Sequence, residues 1–385
     1  MVKTVAVIFG GVSPEHDISI ITAISSVIRP LEMTGKYNVL PIYISKKGNW
    51  YSDQSFKNIA TFQTDLKTLT DRLKPIQLIF DNGLLVKPQG LRTKAIRIDV
   101  AFPAMHGAMG EDGSLMGLLR MAGIPFVGCD MSASAIAMDK VLAKQAAEVN
   151  NILISKYEYF FADKFKTNPQ EVIDEIIKKL SFPLFVKPAH LGSSIGITRT
   201  ETKTELENAI EVAAFYDNKI IIEEAVSNLI EVTLPIIGNQ EITTGLLERP
   251  MVDQSEVFDF DTKYLNGGKK GSGKKYTTGS QGYSELPAKL SKELYKQAVT
   301  VAKQVYRSIE CQGIARIDML IDSKKELVYF NEINPMPGSL YAHNWREAGV
   351  SGVQLVEKLI QGAIDSHAEQ SKYSSTFSTD FLKQF

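Results

Sequence analysis

The sequence predicts an α/β protein of more than one domain: a doubly wound parallel-sheet unit at the front, followed by two α+β units. Three observations predict it. Thr4 to Phe9 (TVAVIF) is a nearly continuous β-branched and apolar run. It ends in Gly10-Gly11 and leads into a helical stretch to about Ile28, which is how doubly wound units open. At 385 residues the chain exceeds one ordinary core. Strand-like and helical segments then alternate as far as Val353 to Ile364 with no internal repeat.

In chain order, Tyr37 to Ser45 and Ile98 to Met105 read as the second and third strands, with Ile124 to Val127 closing the first unit near residue 130. Between them Asn82-Gly83 predicts a β-hairpin, a dipeptide suited to a type I′ turn. Ser132 to Val149 reads as one helix with a serine cap, carrying Asp139-Lys140 early. Lys156 to Phe160, Leu184 to Lys187, Gly196 to Thr198 and Lys219 to Glu223 predict a small sheet, with helices at Pro169 to Leu180 and Lys203 to Ala214. Beyond Glu231, strands are predicted at Val232 to Ile237, Glu241 to Leu247, Gly313 to Ile321 and Leu327 to Ile333, flanked by helices Lys289 to Ser308 and Val353 to Ile364. The expected domains are 1–130, 131–226 and 227–370, with a tail 371–385; Ser-rich Glu369 to Phe385 is expected to fray. Asn266 to Gly282 has six glycines, four lysines and no apolar period. It is either a linker or a lid over an anion, and the polar alternation of Phe258 to Tyr264 favours a lid spanning 258–284.

Composition is globular, 44% hydrophobic and 23% charged, and the formal charge is −1. There is no global attraction to nucleic acid or anionic membrane, so neither is an expected partner and any phosphate site must be built locally. Cys129 and Cys311 stand far apart with no C-x-x-C spacing, which fits a reducing cytoplasm. The apolar run Val5 to Phe9 is too short for a signal peptide, and no window reaches the roughly 18 apolar residues of a membrane span.

Three constellations carry chemistry. Lys187-Pro188 followed by Leu191-Gly-Ser-Ser-Ile-Gly196 places a lysine at a strand end before a loop of small residues. Backbone N–H groups there could surround phosphate oxygens, or the segment could be a turn-rich hairpin with an outward lysine. Arg316-Ile-Asp318 and Asn331-Glu332-Ile-Asn334 lie on successive strands, and period-two alternation puts Arg316 with Asp318, and Glu332 with Asn334, on one face each. Two carboxylates and an amide oxygen suit Mg²⁺. A merely solvated face is disfavoured because Gly313 to Ile321 is otherwise apolar, and an unpaired buried carboxylate is costly. His106-Gly-Ala-Met-Gly-Glu-Asp-Gly113 forms a glycine loop at the carboxyl end of a strand, where doubly wound sheets hold ligands; a lone histidine is more often structural. Neither a G-x-x-x-x-G-K-[ST] nor a G-x-G-x-x-G fingerprint is present.

Eight stretches in order carry a resemblance to D-alanine–D-alanine ligases: Gly10 to His16, His106 to Gly113, Gly123 to Gly128, Met138-Asp-Lys140, Phe185 to Pro188 with Gly192 to Gly196, Asp261 to Tyr264, Ala315 to Asp318 and Asn331 to Gly338. The resemblance implies an ATP-grasp fold whose two α+β subdomains clasp ATP. It implies phosphorylation of one D-alanine carboxylate by ATP, attack by a second D-alanine amine, and release of dipeptide, ADP and phosphate for peptidoglycan synthesis. By likeness, Lys140, Lys187 and Lys263 meet ATP phosphates, with Ser193, Ser194, Glu223, Glu224 and Glu231 also in the nucleotide pocket. Asp318, Glu332 and Asn334 would hold two Mg²⁺ ions, with Mn²⁺ as a substitute. Glu15 would receive the first ammonium, Ser193 and Tyr264 would join it, and His106 would lie near the first carboxylate. Arg316 and the Gly338 N–H would stabilise the tetrahedral oxyanion, with Ser339 and Leu340 at the second substrate. A cytoplasmic homodimer is implied.

The chain departs from the family pattern in three places. Where the family carries Gly-Arg-Glu-x-x-Val this chain has Ser227 to Val232, so the ribose-binding acid falls at Leu229 unless Glu231 substitutes. The lid is longer and richer in Lys and Gly. Ser339-Leu340 follow Gly338 at once where the family has several more residues, leaving a ligase that takes D-lactate or D-serine second, or another ATP-grasp amino-acid ligase, as the alternative.

Overall fold

The computed structural model describes residues 2–63, 70–89, 93–192, 194–251, 284–374 and 379–385. β1 (Lys3–Gly10) is one of two inner strands of a four-stranded sheet, parallel to β2 (Tyr37–Ile44) and to a strand at Val100–Pro103. Val5 to Phe9 are fully buried because helices cover both faces of the strand, as the unbroken apolar run requires. The first helix does not stop before Pro30. It runs His16–Ile21, widens to a π-helical stretch Thr22–Ile28, and continues as Arg29–Thr34. Proline removes one ladder donor and crowds the carbonyl four residues back, and a wider turn upstream relieves both.

β3 (Trp50–Tyr51) borders β2. The hairpin at Asn82-Gly83 forms from β4 (Gln77–Phe80) and β5 (Leu84–Lys87), but Phe80 pairs Leu84, so three residues make the connection rather than two. Both Asn82 (φ 43°) and Gly83 (φ 138°) take positive φ. The strand expected at Ile98 to Met105 is two strands. β6 (Ile96–Ile98) pairs β5 antiparallel, and β7 (Val100–Pro103) pairs β1 in parallel. Asp99 makes the switch: its carboxylate accepts the Thr4 N–H at 2.7 Å, and its own N–H donates to the Thr4 carbonyl. Ile124 to Val127 contributes only a bridge, Phe126 to Ala101. A helix at Ser114–Met121, not foreseen behind its glycine loop, packs Leu115, Met116 and Leu119 inward.

The helix expected over Ser132 to Val149 is two helices, Met131–Met138 and Lys140–Val149, and Asp130 rather than Ser132 caps the first. Next comes a four-stranded antiparallel sheet in the order β10-β9-β11-β8, from β8 (Tyr157–Phe161), β9 (Leu184–Pro188), β10 (Thr198–Thr200) and β11 (Lys219–Glu224). Helices Pro169–Lys179 and Lys203–Tyr216 bury Val172, Ile173, Ile176, Leu206, Ala209 and Ile210 against it. The last large sheet is also antiparallel, ordered β13-β12-β16-β17, from β12 (Leu229–Gly238), β13 (Ile242–Thr244), β16 (Ile314–Asp322) and β17 (Leu327–Asn334); β14 (Arg249–Pro250) and β15 (Ser284–Glu285) form a small pair beside it. Helix Lys292–Ser308 packs on the large sheet's inner face through Leu294, Ala298, Ala302 and Val305. The last long helix, Gly352–Gln370, returns to the first unit: Leu355, Val356, Leu359, Ile360 and Ala363 share a core with Val5, Val7, Phe9 and Leu31. Among the described residues no helix is long and apolar enough to cross a membrane.

Candidate active site

The break between the helices at 131–149 positions the first basic group. Asp139 leaves helical geometry (φ −90°, ψ 105°), and its carboxylate accepts the Val141 and Leu142 N–H groups, starting a new helix at Lys140. The Lys140 ammonium donates to the Leu191 carbonyl at 2.6 Å and lies 3.5 Å from Glu332 Oε2. Lys187, on β9, donates to Glu223 Oε2 at 2.6 Å and reaches Asn331 Oδ1 at 3.4 Å. One turn beyond Lys140, Lys144 is fully buried, 3.1 Å from Glu223 Oε1 and 3.3 Å from Ser155 Oγ.

Two ammoniums thus share one buried carboxylate. Burial alone would push the Glu223 carboxyl up, yet Lys144 and Lys187 outweigh it and hold the group at about 2. Burial disfavours both ammoniums; Glu223 more than offsets this for Lys187, whose pKa rises, but not for the more distant Lys144, whose pKa falls. The group carries excess positive charge beside Glu332 and Glu231, both of which act on Lys187 electrostatically.

Facing these lysines is the polar side of β16 and β17. The register sets Arg316 opposite Asn334 and Asp318 opposite Glu332, with an irregularity after Asp318 that also turns Asn331 to this side. Alternation thus brings Arg316, Asp318, Glu332 and Asn334 together. Arg316 holds both Asp318 oxygens, through Nε at 2.7 Å and Nη2 at 2.5 Å, and its guanidinium lies 5.5 Å from the Tyr341 ring centroid. Burial works against that cation, but Asp318 outweighs it and raises its pKa. Two carboxylates and a carboxamide form a hard-oxygen donor set of the kind Mg²⁺ takes when phosphate oxygens complete its shell. Among the described residues no group of three His, Cys, Asp or Glu side chains offers a closed metal cage.

The first-unit loops supply a second pocket wall. Glu15 is buried and lies so close to two glycines that a Cβ on Gly107 would stand 2.9 Å, and one on Gly192 3.4 Å, from its Oε2. Only glycine at 107, with φ 74°, permits that approach. His106 Nε2 is 2.8 Å from Thr22 Oγ1, and burial lowers its pKa, so the ring is neutral. Glu111 accepts the Gly107 N–H at 2.6 Å; burial, then the charge of Glu15, pushes its carboxyl up to about 8.

Past Gly338 the chain makes a left-handed turn: Ser339, Leu340 and Tyr341 all have φ between 51° and 54°. Three consecutive L-residues there cost roughly 1–2 kcal/mol each. Ser339 N–H donates to Thr22 Oγ1 at 2.9 Å, and the Tyr341 and Thr233 hydroxyls bond at 2.9 Å. Behind them His343 Nε2 meets the buried Glu248 at 2.8 Å.

Glu224 is not brought to the lysines. The alternation that turns Glu223 toward them turns Glu224 to the other face of β11, where it accepts the Ser181 N–H at 2.9 Å. Ser194 lies in the tight turn after Gly192 with φ 57°. Ser193, Lys263, Tyr264 and the expected lid 258–284 short of Ser284 lie outside the described residues. The sequence reading did not single out Thr22, Glu111, Lys144 or Glu248. Lys144 had a signal, since it repeats Lys140 at i+4 on one helix face. So did Glu111, which sits inside the glycine loop of His106. Another group missed is the clamp on the loop after Lys187: His190 lies between Asp139 (3.2 Å) and Asp217 (2.9 Å), and Lys219 reaches Asp139 at 2.7 Å. Hydrogen bonds to Asp139 and Asp217 push the imidazole up to about 9.

Residues 4–129 match the family model described as D-ala D-ala ligase N-terminus, and residues 147–361 the one described as D-ala D-ala ligase C-terminus. A D-alanine–D-alanine ligase of Chloroherpeton thalassium is 35% identical over 96% of this chain and 98% of its own, and that of Clostridium acetobutylicum 34% over 94% and 98%. Among solved structures, the D-alanine–D-alanine ligase of Coxiella burnetii superposes with a TM-score of 0.77 at 27% identity, covering 96% of each chain. The VanG D-Ala:D-Ser ligase of Enterococcus faecalis superposes with the same TM-score at 31% identity, over 94% of this chain and all of its own.

Proposed function

Because this chain belongs to the D-alanine–D-alanine ligase family, we propose that the lysines and the acidic face described above are the phosphoryl-transfer site of an ATP-grasp ligase that makes D-alanyl-D-alanine for peptidoglycan. The observation that carries the reading is the convergence of Lys140 and Lys187, from the central elements, on Glu332 and Asn331 of β17. Cations and carboxylates there face each other across the gap between two sheets. Phosphate oxygens can satisfy the lysines there, while the carboxylates neutralise through a divalent ion.

In this reading Lys140 and Lys187 orient the phosphates of ATP, with Ser193, Ser194, Glu223, Glu231 and Lys263 in the same pocket. Asp318, Glu332 and Asn334 would hold Mg²⁺, or Mn²⁺ in its place, which would supply charge neutralisation at the transferring phosphoryl group. Glu15, with Ser193 and Tyr264, receives the first substrate's ammonium; neutral His106 lies at its carboxylate. Arg316 turns from Asp318 toward the oxyanion, where the Gly338 N–H joins it, and Ser339 and Leu340 border the second substrate. No side-chain nucleophile is needed: alignment and neutralisation lower the barrier to amine attack on the acyl phosphate. The proposed units are 1–130, 131–226 and 227–370, with residues 258–284 as lid and 371–385 as tail. Two free, buried cysteines are consistent with a reducing cytoplasm. The homodimeric state rests on family likeness, and sedimentation equilibrium reads it.

The test is ADP release with D-alanine alone, then with D-lactate or D-serine added, products identified by mass. D-alanyl-D-alanine is the expected main product. Glu332→Ala should fold and lack turnover at ordinary Mg²⁺, and normal synthesis by that variant would overturn the metal assignment.

A further inference from the structure

Two segments 317 residues apart meet on one hydroxyl. Thr22 is fully buried at the start of the π-helical stretch, and its oxygen accepts the Ser339 N–H at 2.9 Å. The same oxygen is 2.8 Å from His106 Nε2. The Thr22 oxygen could accept twice, so the tautomer is set from the other side of the ring: the Met336 backbone bond favours a hydrogen on the nitrogen facing it, and in the neutral ring Nε2 then accepts the Thr22 proton. That ring N–H has the Met336 carbonyl as partner. A closed circuit results: Met336 carbonyl, imidazole, Thr22 hydroxyl, Ser339 N–H. It brackets Pro337 and Gly338 from both sides.

The bracketed segment needs such a clamp. Immediately after it come the three left-handed residues Ser339, Leu340 and Tyr341, a conformation that persists only when its surroundings over-determine it. The turn is tied at its far end by Tyr341 to Thr233 and at its near end by Thr22.

We propose that Thr22 is a positioning residue for the second-substrate pocket: its hydroxyl, through His106 and Ser339, holds Met336 to Ser339 so that the Gly338 N–H faces the developing oxyanion. The proposal rests on the ligase reading of this site. It implies that the first-unit helix sets how well the incoming amino acid is held, although Thr22 touches neither substrate.

Thr22→Val keeps the shape and removes both hydrogen bonds, whereas Thr22→Ser keeps the hydroxyl and loses a methyl. Initial rates over a wide D-alanine range separate the two Michaelis constants. Thr22→Val should raise the ratio of second-site to first-site KM about tenfold, the scale of one buried hydrogen bond, and Thr22→Ser should stay within about twofold of the parent on the same scale. A merely structural role would lower the melting temperature and shift both constants together. If Thr22→Val is unfolded at the assay temperature, Thr22→Ala takes its place with the same expectation. An unchanged KM ratio in the hydroxyl-free variant, or Thr22→Ser as defective as Thr22→Val, would overturn the clamp. A parent enzyme that makes no D-alanyl-D-alanine would sink the ligase reading instead, so the two failures are distinguishable.

Discussion

Glu223→Gln should be among the most damaging single-atom exchanges in the central unit. The carboxylate is 2.6 Å from Lys187 and 3.1 Å from Lys144, and Lys144 has no exposed surface. Its depressed pKa measures what the native state gains from the ionised form. Moving a carboxyl from its ordinary 4.5 to about 2 corresponds to about 3 kcal/mol at neutral pH. That stability is present above pH 4.5 and is lost as pH falls toward 2, so the parent's stability should decline across that window and the variant's should lack this limb. The variant leaves two buried ammoniums with no carboxylate between them, a loss of roughly 3–5 kcal/mol. Lys144 then sheds its proton more readily on folding, and the variant's stability should climb more steeply than the parent's as pH rises from 7 to 10. The companion Lys144→Met should cost less, because Glu223 keeps Lys187 although its Oε1 loses an ion pair and Ser155 a donor. Urea unfolding at pH 7 and 9, with circular dichroism and tyrosine fluorescence as probes, measures each difference. A Glu223→Gln midpoint indistinguishable from the parent, or a Lys144→Met cost larger than that of Glu223→Gln, would refute the charge count.

If the loop after Lys187 holds ATP as proposed, the His190 clamp should make ATP binding pH-dependent. Its pKa is raised to about 9 by Asp139 and Asp217, so the clamp is complete below pH 6.5 and is lost as pH rises through 9. The KM for ATP should rise over that span, and His190→Gln should flatten the profile; an unchanged profile in the variant counts against the clamp. Tyr341→Phe strands the buried Thr233 hydroxyl and should cost about 1 kcal/mol in urea unfolding. No loss there would mean that the hydroxyl does not anchor the left-handed turn.

Much of the site was legible because its parts are local. Period-two alternation on two strands joined by a short turn is enough to put Asp318 beside Glu332, and the observed register does so. Gly107 and Gly192 were visible as loop glycines, and Ser13 and Glu15 occupy the space that a side chain at 107 would need. The same alternation separated Glu223 from Glu224, which the family pattern alone had grouped together. What the sequence reading misplaced were breaks within apparently continuous elements. Ser132 to Val149 is uniformly helix-forming, and a side-chain cap at Asp139 interrupts it; Ile98 to Met105 is uniformly strand-like, and Asp99 divides it between two sheets. The helix expected to end near Ile28 continues past Pro30 through a widened turn because Ile24, Val27, Ile28 and Leu31 remain in one core.

By itself the sequence determined the order of elements, the alternating faces of the strands, the glycine loops and the family. Those properties depend on neighbours within about a dozen residues, where backbone sterics and periodicity act. Tertiary structure alone decided which charges share a partner and which hydroxyl ties the two ends of the chain. Lys144 with Glu223 and Thr22 with Ser339 meet only after separate sheets have packed. A buried ammonium or hydroxyl takes its partner from whatever the apolar cores bring within hydrogen-bonding distance, and no local pattern in the chain encodes that distance.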